Sequence, residues 1–364
     1  MSEKERFPQL VIDLGALRHN VEYVTGRCAE KGITVAGVVK GTSGLPECIK
    51  QFADGGCGQI ASSRLEQIET ARMMDLKQPL LLLRVPMLSE VEDVVRLCDI
   101  SLNSELTVVR ALNDEAARRG KVHQVILMAD VGDLREGYWD KDEMVEAAYE
   151  IETGMDNIEL LGVGTNVGCY GSVLPTKEKL EELVDVAERV EKRIGRRLKY
   201  ISGGATSSFM RVIDGDIPER INHLRIGEGI LNAYDLDKIY HYDMSMMRQD
   251  VYTLRAEIVE VKDKPSHPVG KLGVDAFGKV QHYVDRGIRR NAIAAVGKAD
   301  FASTDEIFPK MKGVEVLGGS SDHTILDITD AEQDIKVGDV LDFGIDYAST
   351  IFLTTSKNIH IVYK

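Results

Sequence analysis

The chain of 364 residues is longer than one hydrophobic core ordinarily supports, so two domains are expected. Its 43% hydrophobic and 29% charged residues read as a soluble globular protein, and no apolar run is long and uninterrupted enough to span a bilayer. A net charge of −14 argues against a nucleic-acid partner, which needs a basic face, and is compatible with a cationic small molecule.

The start, MSEKERFPQLVIDL, has no apolar segment of secretory type. The five cysteines (Cys28, Cys48, Cys57, Cys98, Cys169) are odd in number, scattered and without a CxxC pair. They read as reduced thiols of a cytoplasmic protein, with neither a disulfide framework nor a metal site expected. QLVIDLGALRHNVEYVTGRC predicts a strand that continues as an amphipathic helix.

Eight short apolar runs follow, at 33–40, 58–63, 79–85, 100–103, 124–130, 159–166, 199–206 and 223–230. Between them lie stretches such as TKEKLEELVDVAERVEKRI, with apolar residues every three or four positions. This alternation predicts an N-terminal (β/α)8 TIM barrel over residues 1–240, with a doubly wound open sheet as the competing architecture. After Tyr240 strand-like segments follow one another, joined by Gly, Asp and Pro turns and without helices, which predicts a C-terminal mostly-β domain over 241–364. Residues 1–14 are candidates to pack with that domain.

In a barrel of this kind the strand ends share one face, where active sites form. Those ends carry Lys40, Arg84, Asn103, Asp130, Arg135, Asn166, the turn SGGATSS, and Arg225 with Gly227. A lysine at a strand end is a charge reaching for water, or it sits beside something bulky in the space left by GTSG. The turns GGATSSF and RIGEG, after the seventh and eighth runs, offer free N–H groups for a phosphate.

In order and spacing these segments resemble the alanine racemase-like, fold type III pyridoxal-phosphate enzymes over nearly the whole chain. IDLGALRHN, VVK, GCGQIASSRLEQIETAR, DVGDLREG and LRIGEGI are similar to that family's segments in turn, and VVKGTSG with a late DY is closest to its ornithine racemase branch. The resemblance implies pyridoxal 5'-phosphate carried by Lys40, with Arg225 facing the pyridine nitrogen and Arg135 orienting substrate and the ring hydroxyl. It places Asn166 against the cofactor ring. It also implies Thr206, Ser207, Gly227 and Glu228 as phosphate binders through backbone N–H groups, a homodimer, and racemisation of an amino acid, ornithine first. An amine in a desolvated, cationic site loses its proton readily, which suits Lys40. A guanidinium holds its proton and so would keep the pyridine nitrogen unprotonated; the competing account of Arg225 is a salt bridge in the barrel floor.

Two departures stand out. The tyrosine that donates to the phosphate in that family is missing, with Gly44 near its place. The tyrosine that serves as second acid, from the partner subunit's β domain, is matched by Phe277, which has no titratable proton. Asp275, Tyr283, Asp322, His323 and Tyr347 are the substitutes, and Tyr347 is preferred. A racemase acting on alanine or lysine, or a D-hydroxyamino-acid aldolase or dehydratase, is the alternative function, although the C-terminal HTI and HIV do not form the H-x-[CD] metal pair of those lyases.

Overall fold

The structure is a computed structural model and describes residues 5–274, 278, 280 and 282–364. Its chain forms two compact units: Gly15–Gln249, and the residues up to Leu14 together with Asp250–Lys364.

Strand β1 (Gln9–Ile12) belongs to the second unit. The first unit is a closed parallel barrel of β2 (Thr34–Val38), β3 (Gln59–Ser62), β4 (Leu80–Leu82), β5 (Ile100–Asn103), β6 (His123–Met128), β7 (Ile158–Gly164), β8 (Tyr200–Ser202) and β9 (His223–Ile226). Each of the eight apolar runs coincides with one of these strands, β6 and β7 starting one residue earlier, and the open sheet is excluded because β2 pairs with β9. Helices fill the gaps. Lys177–Ile194 shows why: Thr176 caps its first turn by accepting from Lys179 N at 3.3 Å, and Leu180, Leu183, Ala187 and Val190 bury one stripe.

The barrel interior is a layered core drawn from β2 to β7 without a helical residue: Ala36, Val38, Ala61, Leu81, Ile100, Leu102, Ile126, Met128 and Leu161. Because side chains alternate along a strand, this register decides which polar residues point inward. Ala36 lies opposite Arg225 across the β2–β9 pair, so Arg225 shares the interior face.

The second unit is one antiparallel sheet in the order β12 (Ile307–Pro309), β15 (Val340–Ile345), β10 (Tyr252–Pro265), β11 (Ile288–Ala294), β14 (Thr324–Asp327) and β13 (Glu315–Gly319). β1 pairs antiparallel with β10 and parallel with β16 (His360–Tyr363). The sequence pattern predicts no helix in this region, yet Tyr347–Thr355 is helical. Thr350, Ile351, Thr354 and Thr355 are β-branched and favour strand, but Asp346 caps the segment, accepting from Ser349 N at 3.1 Å, and local capping outweighs propensity.

Candidate active site

β2 ends in a single tight turn, Val39–Thr42, which carries Lys40 off the strand. Ser43 (φ 50°) and Gly44 (φ 69°) then turn the chain left-handed into the helix Pro46–Asp54. The small residues of GTSG therefore serve the turn. A Cβ at Gly44 would sit 2.8 Å from Gln67 Cβ, so this fold has no room there for the missing tyrosine. Lys40 reaches out of the strand end, and the protein around it still lowers its pKa. The causes are desolvation first, then the charge of Arg135, with a smaller push from Arg225.

Arg135 stands on the loop after β6, and buried carboxylates shape that loop. Asp130 accepts from Gly132 N at 2.8 Å and Leu134 N at 3.1 Å, and its carbonyl takes Lys141 Nζ at 2.5 Å. Asp130 is thus a structural group. Asp133 accepts from Tyr170 N at 3.0 Å, Val173 N at 3.3 Å and Cys169 N at 3.4 Å, tying the loops after β6 and β7 together. This brings Cys169 Sγ to 2.9 Å from Arg135 Nη1. The other two nitrogens of Arg135 form a bidentate pair with Glu136.

The barrel floor is built differently. Arg225 is 4% exposed and has no ion pair among the described residues, so the salt-bridge account fails. It donates to Ser202 Oγ, to the Thr165 carbonyl at 2.8 Å and to Asn166 Oδ1 at 3.3 Å. Because Arg225 can only donate, Ser202 accepts from it and donates its own hydroxyl to His223 Nδ1 at 2.7 Å. His223 then carries its proton on Nε2 and donates to Gln59 Oε1 at 3.1 Å. Burial, helped by Arg225, pushes the His223 pKa down to about 3, consistent with this neutral tautomer. Burial also lowers Arg225 to about 10, which leaves it charged at neutral pH.

Two turns close the face. Thr206 and Ser207 open the turn after β8, and Glu228 opens a short helix after β9, where leading N–H groups have no acceptor in their own helix. The Ser207 hydroxyl is committed to the Val167 carbonyl at 2.9 Å, and Thr206 Oγ1 accepts from Gly229 N at 3.1 Å. At Gly204 (φ 119°) a Cβ would lie 2.4 Å from Ser208 Oγ, so this turn has room only for glycine. Glu228 is 7% exposed. One of its oxygens accepts from Asp235 N at 3.2 Å, while Oε2 is buried without a partner. Burial and then the charge of Asp235 raise its pKa to about 7.

Some expected strand-end groups do other work. Arg84 pairs with Glu90 at 2.6 Å. Asn103 is buried on the face of β5 opposite Ile100 and Leu102, its amide on Ser101, away from the interior. In the second unit Tyr347 is half-buried at the start of its helix, Tyr283 is 44% exposed, and Asp322 and His323 are exposed in the β13–β14 turn. Asp275 and Phe277 lie outside the described residues. Sequence reasoning missed Glu136, Asp133, Cys169, Ser202, His223 and Gln59. DVGDLREG held the signal for the first two; the others are joined only by strand register. A separate cavity of about 480 Å³, lined in part by Arg72, Lys77, Asp99 and Lys121, lies at the opposite ends of β4 to β6.

A model of the alanine racemase N-terminal domain matches residues 12–235. The chain is 40% identical to ornithine racemase of Acetoanaerobium sticklandii over 97% of this chain and 98% of that protein. It is 38% identical to lysine racemase of Thermotoga maritima over 98% of this chain and 99% of that protein. The solved structure of alanine racemase from D-cycloserine producing Streptomyces lavendulae superposes with a TM-score of 0.78 at 18% identity, covering 100% of this chain and 98% of that one, which establishes the fold. The chain belongs to the alanine racemase family.

Proposed function

We propose that the chain racemises a diamino acid, ornithine first, with pyridoxal 5'-phosphate held in the barrel. The observation that carries this reading is Lys40 just past the end of β2, its pKa lowered by burial and by the charges of Arg135 and of a buried Arg225 whose hydrogen-bond acceptors are all neutral. The residues present fit that cofactor: an amine eased toward its neutral form, a fixed guanidinium in the floor, and the leading N–H groups of the turns at Thr206 and Glu228 for a phosphate. When bound, it supplies an aldehyde that condenses with amines and a ring that takes up the electrons left behind as a Cα proton departs.

Lys40 holds the cofactor and carries the proton on one face of Cα. Arg225 would meet the ring nitrogen; it keeps its own proton even at a pKa of about 10, so it would orient that nitrogen without protonating it. Asn166, which accepts from Arg225, would line the ring. Backbone N–H groups of Thr206, Ser207, Gly227 and Glu228 receive the phosphate, and Arg135 takes the substrate carboxylate or the ring hydroxyl. We assign the acid on the opposite face to Tyr347 of a second copy, which makes the working unit a homodimer.

The fold is shared by lyases, so it does not choose the reaction; the two racemases near 40% identity do favour it. Purified protein supplied with pyridoxal 5'-phosphate should be yellow, and Lys40→Ala should abolish the visible band. Single L-amino acids should then yield the D-form, ornithine fastest. Loss of ornithine's amino or carboxyl group without D-ornithine would assign a lyase.

A further inference from the structure

We infer that Glu136 selects substrates bearing a distal ammonium, by exchanging its bond to Arg135 for one to that ammonium. The inference rests on the racemase reading above. Glu136 is the one carboxylate among the described residues whose charge acts on both Lys40 and Arg225. Its side chain is 17% exposed, so bulk water solvates it only in part. In the free protein Arg135 satisfies it through the bidentate pair, and the remaining Arg135 nitrogen turns to Cys169.

The pair carries the two charges that a diamino acid brings in mirror image. Arg135 answers an α-carboxylate, and Glu136 answers a side-chain ammonium. When a bound carboxylate draws Arg135 away, Glu136 loses its cation. A substrate with a distal ammonium replaces that cation, and one with an apolar side chain leaves the carboxylate stranded. Discrimination then comes from an unsatisfied group on the protein, the form of selection that separates near-isosteric ligands most strongly. The loop is built to keep both partners in place: Asp130 accepts from backbone N–H groups on one side of Arg135, and Lys141 donates to the carbonyls of Asp130, Tyr138 and Trp139.

The test compares L-ornithine with L-norvaline, which has the same carbon chain without the distal amine. Wild-type protein loaded with pyridoxal 5'-phosphate should favour ornithine in kcat/KM by at least about 100-fold. In Glu136→Gln the ornithine value should fall by at least about tenfold while norvaline holds or rises, so the preference collapses. The visible band reports whether the variant folds and retains the cofactor. If it does not, the wild-type comparison decides alone. Equal turnover of both amino acids by the wild type, or equal loss in the variant, overturns the role of Glu136 and leaves the racemase reading standing. Yellow protein that racemises no amino acid overturns that reading itself.

Discussion

Arg225 and Arg135 belong to the same barrel face, and their surroundings are opposites. Arg225 lies in the floor at 4% exposure, held by a serine hydroxyl, a backbone carbonyl and an asparagine amide. Arg135 lies on an exposed loop, in a bidentate pair with Glu136. A buried carboxylate beside Arg225 would cancel its charge, whereas neutral dipoles solvate that charge and leave it in force. At the rim the guanidinium is matched by a carboxylate instead, as the exchange inferred above requires.

The comparison can be broken at its buried end first. Glu228 is neutral more readily in the folded chain than in the unfolded one, since its pKa is raised from 4.5 to about 7. Folding therefore takes up a proton, and stability should fall as pH rises from about 4.5 through 7. The loss should be roughly 3 kcal/mol and should vanish in Glu228→Gln, read from urea unfolding at several pH values. A wild-type slope that matches the variant's would mean that Glu228 is solvated in both states.

Ser202→Ala should come next. It leaves a guanidinium nitrogen of Arg225 and Nδ1 of His223 without partners in a dry interior. A loss of about 2 kcal/mol is expected, seen as a lower urea midpoint with unchanged slope. If the variant is as stable as the wild type, the polar chain in the floor carries no weight. Arg84→Ala serves as the rim control. Its pair with Glu90 is partly exposed, and removal should cost below about 1 kcal/mol and leave the cofactor band intact.

Much of the site is legible in the order of residues alone, because chemistry-bearing residues at strand ends follow directly from the alternating pattern. Lys40, Arg135, Asn166 and Arg225 all fall in one unit at the places that pattern gives. Arg84 and Asn103 show where the pattern stops. Asn103 ends β5 and Arg84 lies two residues past β4, yet Arg84 is spent on Glu90 and Asn103 faces away from the interior. A strand end says that a side chain is near the mouth; only the pleat and its neighbours say whether it points there. The helix Tyr347–Thr355 escapes the pattern for a related reason, since a single capping aspartate outweighs its β-branched residues.

The amino-acid sequence by itself determined the barrel, the sheet-rich remainder and the positions of the lysine and the two arginines. Hydrophobic period and turn residues are local properties that no partner segment has to complete. Tertiary structure decided what each charge is matched against. Ser202, His223 and Gln59 meet Arg225 only through strand register, and Cys169 meets Arg135 only because Asp133 binds two loops together. Such pairings depend on distances between residues far apart in the chain, and those distances exist only once the barrel has closed.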